Sequence, residues 1–203
     1  MPFQFKIQIK EIIKPPVWRR LLVPEDFTFY QFHIIIQAAF GWENAHMYQF
    51  RPIDHRLNPI ISDKEMYDDG LDFFEEDELI DSKEVKLADI FKAEGQKFVY
   101  TYDLGDNWEH LITLEKITEE KLLFADCLAG KGNCPPEDCG GPWGYEELKD
   151  ALANPKHSEH KEFRKWLGLK KNEDWDFNFF SLKQAQEAVR NVDFDQEDNY
   201  ELV

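Results

Sequence analysis

Apolar and polar side chains alternate at period two over Phe3-Gln-Phe-Lys-Ile-Gln-Ile-Lys10, the pattern of a strand with one face on a core and the other in water. Pro15 and Pro16 interrupt it, and a second strand is expected over 17–23, ending at Pro24. Thr28 followed by Gln31 is a capping-box signature. Phe29, Phe32, Ile36, Ala39 and Phe40 then recur at helical spacing until Gly41, which predicts an amphipathic helix over 28–40. A short third strand is read over 46–50. Strand, strand, helix, strand is the order of an α+β sheet with a helix laid across it.

Periodicity fades over 54–94, which reads as an acidic surface excursion centred on Asp68-Asp-Gly-Leu-Asp-Phe-Phe-Glu-Glu-Asp-Glu78. It resumes where Phe98, Tyr100 and Tyr102 share one strand face. Trp108, His110, Ile112 and Leu114 share a face of the returning strand, with turn chemistry at 103–107 between them. Another strand is expected over 122–128. Five glycines and three prolines in 130–144 then exclude regular structure, and so long an irregular loop is usually functional. Helical stripes follow over 145–152, 160–167 and 181–190, giving a helical C-terminal portion. No repeat or low-complexity linker divides the chain, so 1–203 is read as one domain ending in an acidic tail at 193–203.

Composition narrows the class. At 203 residues, 42% hydrophobic and 15% aromatic, the chain can bury a substantial core. No run approaches the roughly 20 apolar residues of a membrane span, and the N-terminus alternates rather than forming a signal peptide's apolar run, so a cytoplasmic protein is expected. The formal net charge of −17 is unevenly spread: residues 1–62 carry five acids against seven Lys/Arg, and residues 63–94 thirteen against four. Such a field repels phosphate backbones, which disfavours nucleic acid as a partner and leaves an unidentified protein or small molecule. The strip Lys10, Lys14, Arg19 and Arg20 is read as a solvated strand edge, with a narrow nucleic-acid contact as the alternative.

Candidate chemistry gathers in the irregular segments. Asp103 and Asp106 lie on a turn with His110 two residues into the next strand, a spacing that could present two carboxylates and an imidazole to a divalent metal. By parity His110 points inward, as a core histidine bonded to a carbonyl or carboxylate, or as a ligand or general base. Cys134 and Cys139 could give thiolates to zinc, with His46 or His110 completing the set. Their spacing misses the usual zinc knuckle, and small buried thiols packing a Gly/Pro loop are the other reading. In the turn at 42–46, Glu43 and His46 could form an acid/base pair or bind metal, with Trp42 on the core. The amides of 140–144, leading into a helix, could receive an anion. Phosphate-loop, dinucleotide, esterase-elbow and zincin signatures are all missing. The turns at 42–46 and 103–110 and the loop at 134–144 are expected to converge on one pocket that includes Trp42, Glu43, Trp108, Asp138 and Trp143.

Four blocks in order, Ile13-Lys-Pro-Pro-Val-Trp-Arg-Arg20, Phe40-Gly-Trp-Glu-Asn-Ala-His46, Tyr102-Asp-Leu-Gly-Asp-Asn-Trp-Glu-His110 and Cys134-Pro-Pro-Glu-Asp-Cys-Gly-Gly-Pro-Trp-Gly-Tyr145, resemble the plasmid pRi open-reading-frame-three-like family. Leu104 stands where that family commonly has Phe. The resemblance spans roughly residues 3–192 and implies a mixed, mostly antiparallel sheet of β-grasp-like kind. It also implies kinship with passenger proteins of insertion sequences, and it supplies no reaction. Two functions are carried forward: a binding or interaction module accessory to mobile elements, and a metal-dependent, hydrolase-like enzyme with a His/Asp/Cys pocket.

Overall fold

A computed structural model describes residues 1–54, 56–66, 79–120 and 122–194. The acidic run at 68–78 and the tail at 195–203 lie outside the described residues. Among the described residues one mostly antiparallel sheet contains eight strands: β1 (Pro2–Ile13), β2 (Pro16–Pro24), β3 (Tyr48–Arg51), β4 (Ile60–Ser62), β5 (Leu79–Asp81), β6 (Lys97–Tyr102), β7 (Trp108–Ile117) and β8 (Asp126–Lys131). Their order is β5-β4-β3-β6-β7-β1-β2-β8, and the β4–β5 pair is parallel. The helices are α1 (Phe29–Phe40), α2 (Leu87–Ile90), α3 (Gly141–Ala153), α4 (His160–Trp166) and α5 (Leu182–Arg190), so the class is α+β. No helix among the described residues is long and apolar enough to cross a membrane.

The core forms on one face of the sheet. Phe3, Phe5, Ile7 and Ile9 of β1 point into it while Gln4, Lys6 and Gln8 point out, as period-two alternation requires. Helix α1 lies across this face. Phe32 packs on Phe5 of β1 with ring centroids 4.8 Å apart, and Phe29 packs on Phe50 of β3 at 5.0 Å. Its first turn is closed by the reciprocal bonds Gln31 N to Thr28 Oγ1 (3.2 Å) and Thr28 N to Gln31 Oε1 (3.0 Å). Gly41, at φ 86°, closes its last turn in the left-handed conformation that glycine adopts without penalty.

Three expectations need correction. Arg19 is not a strand-edge cation. Parity turns it inward between the rings of Phe40 and Phe180, where it donates to the carbonyls of Ala39, Trp18, Lys131 and Gly132. Arg20, one residue on, faces out and pairs with Glu115 at 2.6 and 2.9 Å. The strand expected over 122–128 lies instead at Asp126–Lys131 and runs through Gly130, because Leu123 and Phe124 are exposed loop residues. Gly130 is there for space: a Cβ would lie 2.5 Å from the Phe180 ring and 2.9 Å from the Arg19 side chain. The segment 54–94 also contributes more than surface. β4, β5 and α2 join the sheet and core with Ile61, Leu87 and Phe91 fully buried, in elements too short to show a period. Within it, Ser82 N donates to Ser62 O at 2.7 Å and Lys83 meets buried Asp63 at 2.9 Å.

Candidate functional site

The turn after α1 is fixed from below by polar groups on that helix's buried face. Gln37 Nε2 donates to the Tyr100 hydroxyl at 2.8 Å, and the same hydroxyl lies 2.8 Å from His33 Nδ1. His33 Nε2 is 2.5 Å from Asn44 Oδ1, and Asn44 N donates to Gln37 Oε1 at 3.3 Å. These partners place the His33 proton on Nε2 and leave Nδ1 as the acceptor. His33 is fully buried and stacked on Tyr48 at 3.6 Å, and burial drives its pKa down to about 3, so it is a neutral strut. It holds Asn44 at φ 57°, a left-handed conformation that asparagine tolerates better than most residues.

Above this strut three segments, distant in sequence, meet at His46. Its Nε2 lies 3.0 Å from Asp138 Oδ1, 3.6 Å from Glu137 Oε2 and 3.8 Å from Asp103 Oδ2. That nitrogen is shielded from water and has no aligned hydrogen bond, the short contact to Asp138 included. The ligand atoms of His46, Asp103 and Asp138 all lie within 4.8 Å of one another. Asp103 divides its oxygens: Oδ1 accepts from the amides of Gly105 (2.9 Å) and Asp106 (3.1 Å), which builds the turn and leaves Oδ2 for His46.

Tyr102 and Glu137 lock the segments together. The Tyr102 hydroxyl accepts from Ala45 N at 2.9 Å and donates to Glu137 at 3.1 and 3.2 Å, while Glu43 N donates to Glu137 Oε1 at 2.7 Å. Trp42 Nε1 donates to Pro135 O at 3.0 Å. Burial raises the Glu137 carboxyl above the ordinary range. The Tyr102 hydroxyl is also raised, by burial first and then by the Glu137 charge, so its proton stays in place.

The other expected site residues lie elsewhere or do other work. Asp106 accepts from Gly140 N at 3.1 Å, so the amide expected to receive an anion already holds a carboxylate. The approach is close: a Cβ on Gly141 would lie 2.3 Å from the Asp106 carbonyl oxygen. His110 points inward and is fully buried. Its Nδ1 donates to Trp108 O at 2.8 Å, and the rings of Phe40 and Trp42 stand edge-on to it at 5.1 and 5.2 Å. Burial lowers its pKa to about 3, and it lies outside the His46 group. Burial raises the thiols of Cys134 and Cys139, the latter to about 12, so neither is a ready thiolate. Glu43 offers its amide to the corner, Trp108 is buried beneath Trp42 at 6.0 Å, and Trp143 stands 84% exposed. Sequence reasoning misses a site role for Glu137, His33 and Gln37 and reads Tyr102 only as a strand-face aromatic. The i,i+4 pair His33 and Gln37 on the buried face of an apolar helix was the available signal.

Residues 2–184 match the family model described as plasmid pRiA4b ORF-3-like protein. The chain belongs to that family. All three segments of the corner fall inside the matched span. Among relatives of this family, the uncharacterized protein y4hQ of Sinorhizobium fredii (strain NBRC 101917 / NGR234) is 38% identical over 179 residues, covering 85% of this chain and 84% of its own. The crystal structure of the protein of unknown function MM3350 from Methanosarcina mazei Go1 is similar with a TM-score of 0.74 and 34% identity. That likeness covers 90% of this chain and 95% of the other.

Proposed function

We propose that this protein is a binding module whose working site is a divalent-cation centre formed by His46, Asp103 and Asp138, with Glu137 beside it. The observation that carries the reading is His46 Nε2, a shielded nitrogen with no aligned partner, facing three carboxylates from two other segments. Its distances of 3.0 Å to Asp138 and 3.8 Å to Asp103 bracket about 3.4 Å, the edge of a tetrahedron with metal–ligand bonds of about 2.1 Å. One imidazole with carboxylates is a donor set for zinc, manganese or iron, and no thiolate is needed. A bound cation would neutralise repulsion among the three carboxylates and link the turn at 42–46 to the loop at 134–140.

Calorimetric titration of tag-free protein with zinc and then manganese tests the reading. One equivalent should bind, and His46→Ala and Asp103→Asn should each weaken binding by at least about tenfold. Absence of saturable heat with either metal would sink it. The hydrolase-like alternative draws support from Glu137 alone, whose raised carboxyl suits a general base. Metal-loaded protein that turns over ester or phosphodiester substrates, with Glu137→Gln inactive, would favour it.

A further inference from the structure

Strand β1 ends in Ile12 and Ile13, and strict alternation cannot place consecutive residues in one core. By parity Glu11 should follow Ile7 and Ile9 inward, burying a carboxylate. Instead Glu11 adopts φ 68°, a left-handed conformation uncommon for a residue other than glycine, asparagine or aspartate, and the β1–β2 register shifts between Gln8 and Ile13. Ile12 therefore enters the core at 1% exposure and Ile13 is turned out at 72%. Across from it, on the first turn of α3, Trp143 is 84% exposed. The two elements are braced by Lys149 Nζ, which donates to Lys14 O at 3.1 Å and pairs with Glu146 at 2.6 Å. Ile13, Pro142 and Trp143 thus line a shallow cleft of about 420 Å³. Strained backbone that exposes a large apolar side chain beside an exposed tryptophan is the signature of a binding surface.

The charges at the cleft identify the occupant. Glu146 and Lys149 satisfy each other, whereas the Glu11 carboxylate and the Lys14 ammonium have no partner among the described residues. One unpaired acid and one unpaired base on either side of Ile13 make the patch complementary to itself. In a two-fold contact each residue meets its counterpart reciprocally, so both charges are paired in one step. We infer that this cleft is where a second copy of the chain docks, with Trp143 of each copy against Ile13 of the other and Glu11 of each opposite Lys14 of the other.

Sedimentation velocity of the full chain over about a hundredfold range of concentration tests the pairing. The native protein should shift from monomer to dimer, and Trp143→Asp, at a side chain 84% exposed and with its fold checked by circular dichroism, should remain monomeric. Glu11→Lys and Lys14→Glu should each weaken dimerisation by at least about tenfold, since each sets like charges opposite one another. Mixed in equal amounts, the two charge variants should form a heterodimer at least about tenfold tighter than either variant alone, because every charge then meets its opposite. A native protein that stays monomeric throughout overturns the inference. So does a dimer that survives Trp143→Asp, or a mixture no tighter than either variant alone.

Discussion

Gly144→Ala sets two well-characterised effects against each other. Gly144 lies in the first turns of α3, where intrinsic helix preference favours alanine by about 1 kcal/mol. Its surroundings oppose the change: an added Cβ would lie 1.8 Å from the carbonyl oxygen of Cys139 and 2.8 Å from its carbon. Ordinary contact requires a retreat of roughly 1.5 Å, and the obstacle is backbone rather than a flexible side chain tip, so the overpacking cost falls at about 3 kcal/mol. The displaced segment also carries Gly140 N, whose bond to Asp106 contributes about 1 kcal/mol at this exposed position. Net destabilisation of about 3 kcal/mol follows. In urea, with a slope of roughly 2 kcal/mol per molar, the unfolding midpoint by circular dichroism should fall by about 1.5 M. Gly41→Ala is the comparison: at φ 86° with nothing within 4 Å, it should cost only the backbone strain of about 1–2 kcal/mol. A Gly144→Ala midpoint at or above the native one would refute the steric reasoning, as would a cost smaller than that of Gly41→Ala.

Two further outcomes follow from the buried polar groups. Tyr102→Phe removes the hydroxyl that accepts from Ala45 N and donates to Glu137, so chemical denaturation should register a loss of about 1–3 kcal/mol and titrated cation affinity should fall with it. His33 and His110 stay neutral in the folded protein down to about pH 3 but take up protons near 6.5 once unfolded. Over that interval the unfolded state binds more protons. Stability should therefore fall as pH drops from about 6.5 towards 3, by up to about 1.4 kcal/mol per pH unit for each ring. Denaturation midpoints measured across this window should flatten in His33→Gln, and an unchanged slope would contradict the burial of a neutral ring.

Local rules read from the chain succeed where one principle governs a segment. The Thr28–Gln31 box and the Gly41 stop delimit α1 because capping depends on neighbours in sequence. Parity turns His110 inward for the same reason, but the rings of Phe40 and Trp42 that make it a neutral core group come from α1 and the turn after it. Arg19 and Gly130 escape local rules through one long-range fact: the Phe180 ring and the Arg19 stem that packs on it fill the space beside Gly130, so a cation is buried and a glycine belongs in a strand. Glu137 follows the same logic. Beside Asp138 in a Gly/Pro loop it carries no signal until Tyr102, at the end of β6, donates to it.

The turn at 103–107 serves two neighbours at once. Asp103 directs an oxygen to His46, and Asp106, three residues on, secures the start of the helix that bears Trp143. A displacement of this turn is therefore shared between the corner and an indole that stands in solvent. Trp143 is in effect a built-in optical probe: the part of the tryptophan emission that Trp143→Phe removes should change when the corner is filled, and that readout is independent of whatever chemistry the corner performs.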